Sequence, residues 1–382
     1  MKRWFSLSIV LVLLLGVFPV QASAVEMNLP VKSALLMDVT TGTVLYESNS
    51  HEALAPASVT KVMTMLLIME AIDGGKISWE DSVTASEAAA AKGGSQIYLK
   101  VGESMSVADM VKSIAVSSAN DCACAMAEHI AGSETAFVEM MNARAKELGM
   151  QDTVFVNCTG LDDAPEAKDH KTSAYDIAVM SRQLLKNHPD IKKYTTIWMD
   201  TVRNGAFGLS NTNKMVRFYS GCTGLKTGFT SGAGYCLSAS AQRDGMELIA
   251  VVMGAKTSQE RFAACKSMLD YGFANYALAA PELKEELAVP VKLGKQDVVR
   301  AVPAEQGALL VEKAQLSEVN IRTSVEEQVS APVSKGQRLG TLTVRCGEQV
   351  LTEIPLVAEQ TVEKLSWWDL FVRMIKQVCM AK

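Results

Sequence analysis

The sequence predicts an α+β protein in which an antiparallel sheet is covered by helices and followed by a small all-β domain and a C-terminal amphipathic helix. Three observations predict it. Strand-like runs stand early and late in residues 25–278 with helical patterns between them, so distant segments must close one sheet. From Pro281 the texture changes to short alternating apolar runs separated by turn residues. Residues 359–382 carry apolar side chains at helical spacing with charges opposite. The 382-residue chain is also longer than a typical single core.

The first element is a leader. Met1-Lys2-Arg3 supplies positive charge, residues 7–20 an apolar core, and Ala22-Ser23-Ala24 an A-x-A cleavage site, which together describe a secretory signal peptide over residues 1–24. A transmembrane anchor is the rival reading, but the run is short and ends in Pro19 and small residues. The mature protein is then expected to work outside the cytoplasmic membrane. A net charge of −5 gives no electrostatic case for nucleic acid. The eight cysteines, Cys122, Cys124, Cys158, Cys222, Cys236, Cys265, Cys346 and Cys379, permit too many pairings to choose among. Most lie in apolar or small-residue runs, where buried free thiols are the commoner state. The four histidines are scattered and no Cys/His cluster has metal-ligand spacing, so no metal is expected.

Within 25–278, the runs 33–38 and 42–46 are joined across Val39-Thr40-Thr41 as a hairpin. Pro56-Ala57-Ser58-Val59-Thr60-Lys61 then precedes the apolar run 62–69. Proline before helix formers marks a helix start, and a helix apolar on nearly all sides is a buried one. Helical patterns follow at 85–91, 107–117 and 122–131, the last ending at Gly132. Strands return at 235–241 and 247–254, with a helix over 259–271. Residues 279–358 read as a small β-sandwich with strands near 289–291, 298–302, 308–311, 319–322, 340–344 and 351–354. No titratable constellation stands there, which gives it a supporting role.

The chemistry concentrates before that boundary. In the first turn of the central helix, Ser58 and Lys61 are three residues apart and share a face, so an amine stands beside a hydroxyl. The first-turn N–H groups lack helical partners and carry the positive end of the macrodipole, so the Ser58 N–H can face an oxyanion. Burial and that potential push Lys61 toward its neutral, base-competent form. The pair alone recurs by chance, and a lysine stem on a helix rim is the bland alternative. Ser118-Ala119-Asn120 joins two helices, which puts Ser118 and Asn120 on a loop with both side chains free. Lys226-Thr227-Gly228 precedes Phe229 to Gly234 and runs straight into a strand.

Ser-x-x-Lys, then Ser-x-Asn, then Lys-Thr-Gly is the motif order shared by penicillin-binding proteins and serine β-lactamases. The chain resembles a low-molecular-weight penicillin-binding protein of the D-alanyl-D-alanine carboxypeptidase type, serine peptidase family S11. Asn157-Cys158-Thr159-Gly160-Leu161-Asp162, Thr172-Ser173-Ala174-Tyr175-Asp176 and Asn211-Thr212-Asn213 support the likeness, which covers residues 30–278 well and the remainder more loosely. The resemblance implies a serine β-lactamase/DD-peptidase-like fold that needs no cofactor. It makes Ser58 the acylated nucleophile, Lys61 its base and Ser118 the relay of a proton to the leaving group. Asn120 would bind the substrate amide, and Lys226, Thr227 and Gly228 would line the substrate strand. The second oxyanion donor would be the Phe229 N–H. Related enzymes often carry histidine at that position, so only the backbone role transfers to Phe229. The implied partners are peptidoglycan stem peptides ending in D-Ala-D-Ala, with β-lactams as covalent inhibitors.

A substrate with a free carboxylate needs nearby cations, which Lys226 and Arg261 can supply. Arg261 corresponds by its spacing from Lys226 to an arginine used for that purpose in the family; a solvated helix arginine is the alternative. A serine β-lactamase is a rival reading, but Glu166, followed by Ala167-Lys168-Asp169, does not match that family's deacylating glutamate. A DD-endopeptidase or transpeptidase of the same superfamily is the other.

In the tail, Leu365, Trp368, Phe371, Val372, Ile375 and Cys379 line one helical face, with Asp369, Arg373, Lys376 and Gln377 opposite. Its charges rule out a spanning helix. Four basic residues from Lys364 onward against the single Asp369 leave +3 by count, and paired tryptophans favour an interface. The expectation is peripheral attachment to the outer face of the cell membrane; a helix docked on the β-domain is the alternative.

Overall fold

The computed structural model describes residues 27–279, 286–304 and 307–380, and side chains are described up to residue 375. The expected signal segment and the Cys379 side chain lie outside the described residues. Strand β1 (Ser33–Asp38) returns as β2 (Val44–Ser48) through a turn that its own residues close. Asp38 Oδ1 accepts from the Thr41 N–H and hydroxyl, each at 2.7 Å, and Gly42 takes the positive φ of +78° that ends the turn.

Helix α1 (Lys61–Asp73) is buried continuously from Lys61 to Met69, as expected of a helix apolar on all sides. Around it stand α2 (Val107–Ser117), α3 (Asn120–Ala131), α4 (Glu134–Glu147) and α5 (Ala174–Asn187). Serines cap three of them: Ser106, Ser133 and Ser173 each accept an N–H from three residues on, at 3.1 Å. The alanine-rich run at 85–91 makes only one turn, Glu87–Ala90, because Gly93 and Gly94 follow it.

Three long strands then complete the sheet: β3 (Cys222–Thr230), β4 (Gly234–Arg243) and β5 (Met246–Ala255). The order is β2-β1-β5-β4-β3, antiparallel throughout, with Ala34 opposite Val252 where early and late segments of the first domain meet. Strand β5 alternates between two cores. Ile249, Val251 and Met253 face the α1–α5 side, while Leu248, Ala250 and Val252 face α6 (Ser258–Asn275) through Cys265, Met268 and Leu269. Strand β3 is one edge of this sheet, and α1 begins beside it.

The C-terminal part is all β: β6 (Leu287–Lys292), β7 (Val298–Pro303), β8 (Val319–Val325), β9 (Val329–Ser330), β10 (Arg338–Cys346) and β11 (Gln349–Ala358). Its strands pair in one continuous order, β8-β10-β11-β7-β6-β9, over a core that includes Val289, Val299, Leu342 and Leu356. The run near 308–311 leaves that sheet and pairs instead with Tyr276–Ala279, at the end of the first unit. Helix α7 runs Trp367–Met380. Residues just ahead of it complete the β-domain: Val362, 1% exposed, bonds with Val333 at 2.8 and 2.9 Å, and the Leu365 N–H reaches Leu293 O.

Candidate active site

Ser58 lies one turn before the α-helix proper. The segment Ala57–Thr60 is a 3-10 turn and α1 starts at Lys61, a correction to the expected first-turn placement. Ala57 holds a positive φ of +48°, which kinks the chain as it leaves Pro56. The three-residue spacing still brings the two groups together, with Lys61 Nζ 2.9 Å from Ser58 Oγ. A second bond, 2.8 Å to Thr159 O, fixes the amine from the opposite side. Lys61 is fully buried, and desolvation lowers its pKa to about 7 against the weaker pull of Cys158 and Asp121.

Ser118 and Asn120 are not the freely exposed loop residues expected. Ser118 is the left-handed cap of α2 with φ +63°, and Asn120 opens α3. Both are buried, at 3% and 1% exposure. Asn120 Nδ2 donates to Gly93 O at 2.7 Å and its backbone N–H to Ser95 O at 2.7 Å. Asp121 gathers the N–H groups of Ile97 and Leu99 at 3.1 and 3.0 Å, so the 93–99 loop is tied to the start of α3. Among the described residues, Ser118 Oγ and Asn120 Oδ1 have no hydrogen-bond partner. Buried polar atoms are normally paired, so these two are available to a substrate.

The Lys-Thr-Gly motif lies on β3 itself rather than ahead of a strand. Lys226 is 1% exposed, donates to Thr227 O at 2.9 Å, and has its pKa driven well down by burial and by the nearby charges of Lys61 and Arg261. Thr227 Oγ1 donates to Thr212 Oγ1 at 2.7 Å. Gly228 touches the nucleophile's turn. A Cβ there would stand 2.6 Å from Pro56 O and 3.1 Å from Ser58 N, so the edge strand reaches Ser58 only without a side chain. Phe229 is 53% exposed and packs its ring, tilted by 31°, against Tyr235 at 4.3 Å between centroids.

Arg261 is not the solvated helix arginine of the alternative reading. It is 7% exposed, donates Nη1 to Gly228 O at 2.9 Å and Cys236 O at 3.3 Å, and covers the Tyr235 ring at 5.2 Å. Its Nε has no partner among the described residues. Arg261 is thus the buried cation beside this strand, while burial favours the neutral forms of Lys61 and Lys226. No group of three or more His, Cys, Asp or Glu among the described residues is placed to hold a metal ion.

A serine hydroxyl and an amine at 2.9 Å, a second serine with an unpaired hydroxyl and a lysine-bearing edge strand are the parts an acyl-transfer site needs. Residues 20–257 match the peptidase S11 family, D-alanyl-D-alanine carboxypeptidase. The chain belongs to that family. Residues 284–364 of this S11 peptidase match the C-terminal domain of penicillin-binding protein 5. It is 46% identical over 339 residues to the D-alanyl-D-alanine carboxypeptidase DacF of Bacillus subtilis, covering 87% of this chain and 86% of DacF. Its fold is similar to penicillin-binding protein 5 of Haemophilus influenzae, with TM-score 0.75, 30% identity and coverage of 89% of this chain and 100% of that one. Penicillin-binding protein D2 of Listeria monocytogenes, solved with ampicillin bound, matches at TM-score 0.59 and 32% identity over 65% of this chain and 99% of its own.

Residue-type reasoning assigned no role to several groups that the fold brings in. Thr159 acts through its carbonyl, which any residue possesses. Gly160 has φ +81°, and a Cβ there would lie 1.8 Å from Ala57 O. The stretch containing both carries one local signal: Asn157 Oδ1 accepts the N–H groups of Thr159 and Gly160 at 3.1 and 2.6 Å, an Asx turn. His170 reaches the nucleophile's turn from a distant loop, bonding Thr60 Oγ1 at 2.8 Å.

Proposed function

We propose that this S11 peptidase removes the terminal D-Ala of peptidoglycan stem peptides through an acyl-enzyme on Ser58, and that β-lactams trap it at the same atom. The Lys61 Nζ to Ser58 Oγ contact at 2.9 Å carries the reading. With the amine neutral, one of its hydrogens bonds Thr159 O and its lone pair faces the Ser58 hydroxyl. Lys61 takes the Ser58 proton as Oγ attacks the penultimate D-Ala carbonyl. The Ser58 and Phe229 N–H groups receive the developing oxyanion. Ser118 passes the proton to the departing D-Ala nitrogen, the C–N bond breaks, and an ester to Ser58 remains. Water, deprotonated through the same groups, then hydrolyses that ester. Asn120 orients the substrate amide through Oδ1, and Lys226, Thr227 and Arg261 favour the terminal carboxylate.

The β-lactamase alternative lacks support. Glu166 is exposed on the turn Pro165–Asp169 and lines a cavity of about 320 Å³ with Lys92, Gly93 and Glu134, and neither Ser58 nor Lys61 lines that cavity. Release of D-Ala from diacetyl-L-Lys-D-Ala-D-Ala tests the activity. Benzylpenicillin labelling followed by peptide mapping tests the residue; an adduct elsewhere, or full labelling of Ser58→Ala, refutes it.

Helix α7 supports extracytoplasmic attachment to the membrane surface. Trp367, Trp368, Met374 and Ile375 are 69, 66, 64 and 47% exposed, which leaves apolar area without a protein partner among the described residues. No described helix is long and apolar enough to cross a membrane.

A further inference from the structure

We propose that His170 is a positioning residue for the nucleophile, acting through Thr60 on the Ala57 carbonyl and working as the tautomer protonated on Nε2. The inference rests on the acyl-enzyme reading of Ser58.

The proton positions follow from what each partner can do. The Val156 backbone N–H can only donate, and it meets His170 Nδ1 at 3.1 Å, so Nδ1 carries no proton. In the neutral ring Nε2 therefore holds it and donates to Thr60 Oγ1 at 2.8 Å. Thr60, having accepted, gives its own proton to Ala57 O at 2.8 Å. The direction of all three bonds is thus determined. His170 is 3% exposed, with Phe155 edge-on at 5.7 Å. Burial, and then the charge of Lys61, lower its pKa to about 4, so the ring stays neutral where the enzyme works.

The end of this chain is a strained point of the site. Ala57 at φ +48° is in the left-handed region, which a residue with a Cβ keeps only where the surroundings hold it there. Relaxation at Ala57 rotates the peptide that carries the Ser58 N–H and shifts Oγ relative to Lys61. Two groups oppose it. Thr60 bonds the Ala57 carbonyl, and Gly160 packs against the same oxygen so closely that no side chain fits. Gly160 directly follows Thr159, whose carbonyl holds the Lys61 amine. His170 connects the loop behind the base to the turn behind the nucleophile, so one imidazole sets the spacing of both.

The test uses the full mature chain and separates the initial binding constant for benzylpenicillin from the acylation rate constant. Thr60→Val keeps shape and removes the hydroxyl; Thr60→Ser restores it. Thr60→Val should acylate roughly ten- to hundred-fold more slowly with initial binding little changed, because misplacing reacting groups slows chemistry rather than docking. Thr60→Ser should recover most of the rate. His170→Phe should resemble Thr60→Val, and the double variant should be no slower than either alone, since both break one chain. A Thr60→Val protein acylating at the wild-type rate overturns the inference, as does Thr60→Ser failing to recover. If His170→Phe does not fold, the Thr60 pair decides. Absence of wild-type acylation at Ser58 overturns the underlying reading as well; normal wild-type acylation with an unaffected Thr60→Val overturns this inference alone.

Discussion

Gly228 lies against Ser58, its missing side chain replaced by the backbone of the nucleophile's turn: a Cβ on Gly228 would meet Ser58 N at 3.1 Å and Pro56 O at 2.6 Å. Both are backbone atoms and cannot swing aside as a flexible side chain would. Gly228→Ala should therefore move β3 or the turn at an overpacking cost of about 1–3 kcal/mol. Acylation should fall by about a hundred-fold, since the next residue, Phe229, carries the second oxyanion donor of the proposed mechanism. Acylation kinetics beside a urea titration check this, and a fully active alanine variant would count against the contact.

Gly160→Ala combines two penalties, a positive φ of +81° and a contact of 1.8 Å to Ala57 O. Together these predict a loss of roughly 2–5 kcal/mol in chemical denaturation. Gly132→Ala is the control, because its φ is +83° but nothing lies within 4 Å of the added carbon. It should show the conformational penalty alone, about 1 kcal/mol.

The Lys61 amine sets a pH dependence with a definite sign. Its folded-state pKa is lowered to about 7, so the base-competent fraction grows as pH rises through that value. The acylation rate should climb through about pH 7 and level off above it, and Lys61→Arg should abolish acylation with the fold retained. For stability, the folded value lies below the unfolded value of ~10.4. The unfolded state therefore binds the proton first, and this group's contribution to stability falls as pH drops from ~10.4 to about 7, then stays constant. Lys61→Met should weaken that slope in pH-dependent unfolding.

Arg261 bridges Gly228 O and Cys236 O from one nitrogen, a geometry a lysine ammonium on a longer, flexible stem does not reproduce. Arg261→Lys should lower kcat/KM for a peptide ending in a free carboxylate by about ten-fold or more, as expected for a lost charge-assisted bond. The peptide amide should be affected less. Equal losses on both would mean that Arg261 only supports the strand.

Membrane attachment is tested by removing α7 while keeping the β-domain intact, which means cutting after Leu365 because Val362 belongs to that core. The truncated protein should be soluble and fully active on small peptides, and should lose binding to liposomes containing anionic lipid. Equal binding by truncated and full-length mature proteins refutes the anchor. The contact between Arg373 and Asp297 already ties α7 to the β-domain, so partial retention would point to that docking surface instead.

By itself the sequence determined what depends on residue type and short spacing. Ser58 and Lys61 meet because three residues make about one helical turn, in 3-10 as in α geometry, so the contact survived the change of helix type. The apolar run after Lys61 could only be buried, and the alternating runs at the two ends of the first domain could only become sheet. Serine, asparagine and the lysine of β3 were recognisable because the proposed chemistry runs through their side chains. Tertiary structure alone decided the rest. Thr159 contributes a carbonyl common to all residues, 98 positions from Lys61, and His170 stands 110 positions from the threonine it bonds. Helix α5, with a polar outer face and no distinctive boundary beyond Ser173, went unread, as did the burial of Ser118 and Asn120 behind the 93–99 loop. Arg261 carries the same distinction: its charge was legible, but its direction depends on the carbonyls of Gly228 and Cys236, which only the pairing of β3 with β4 sets side by side.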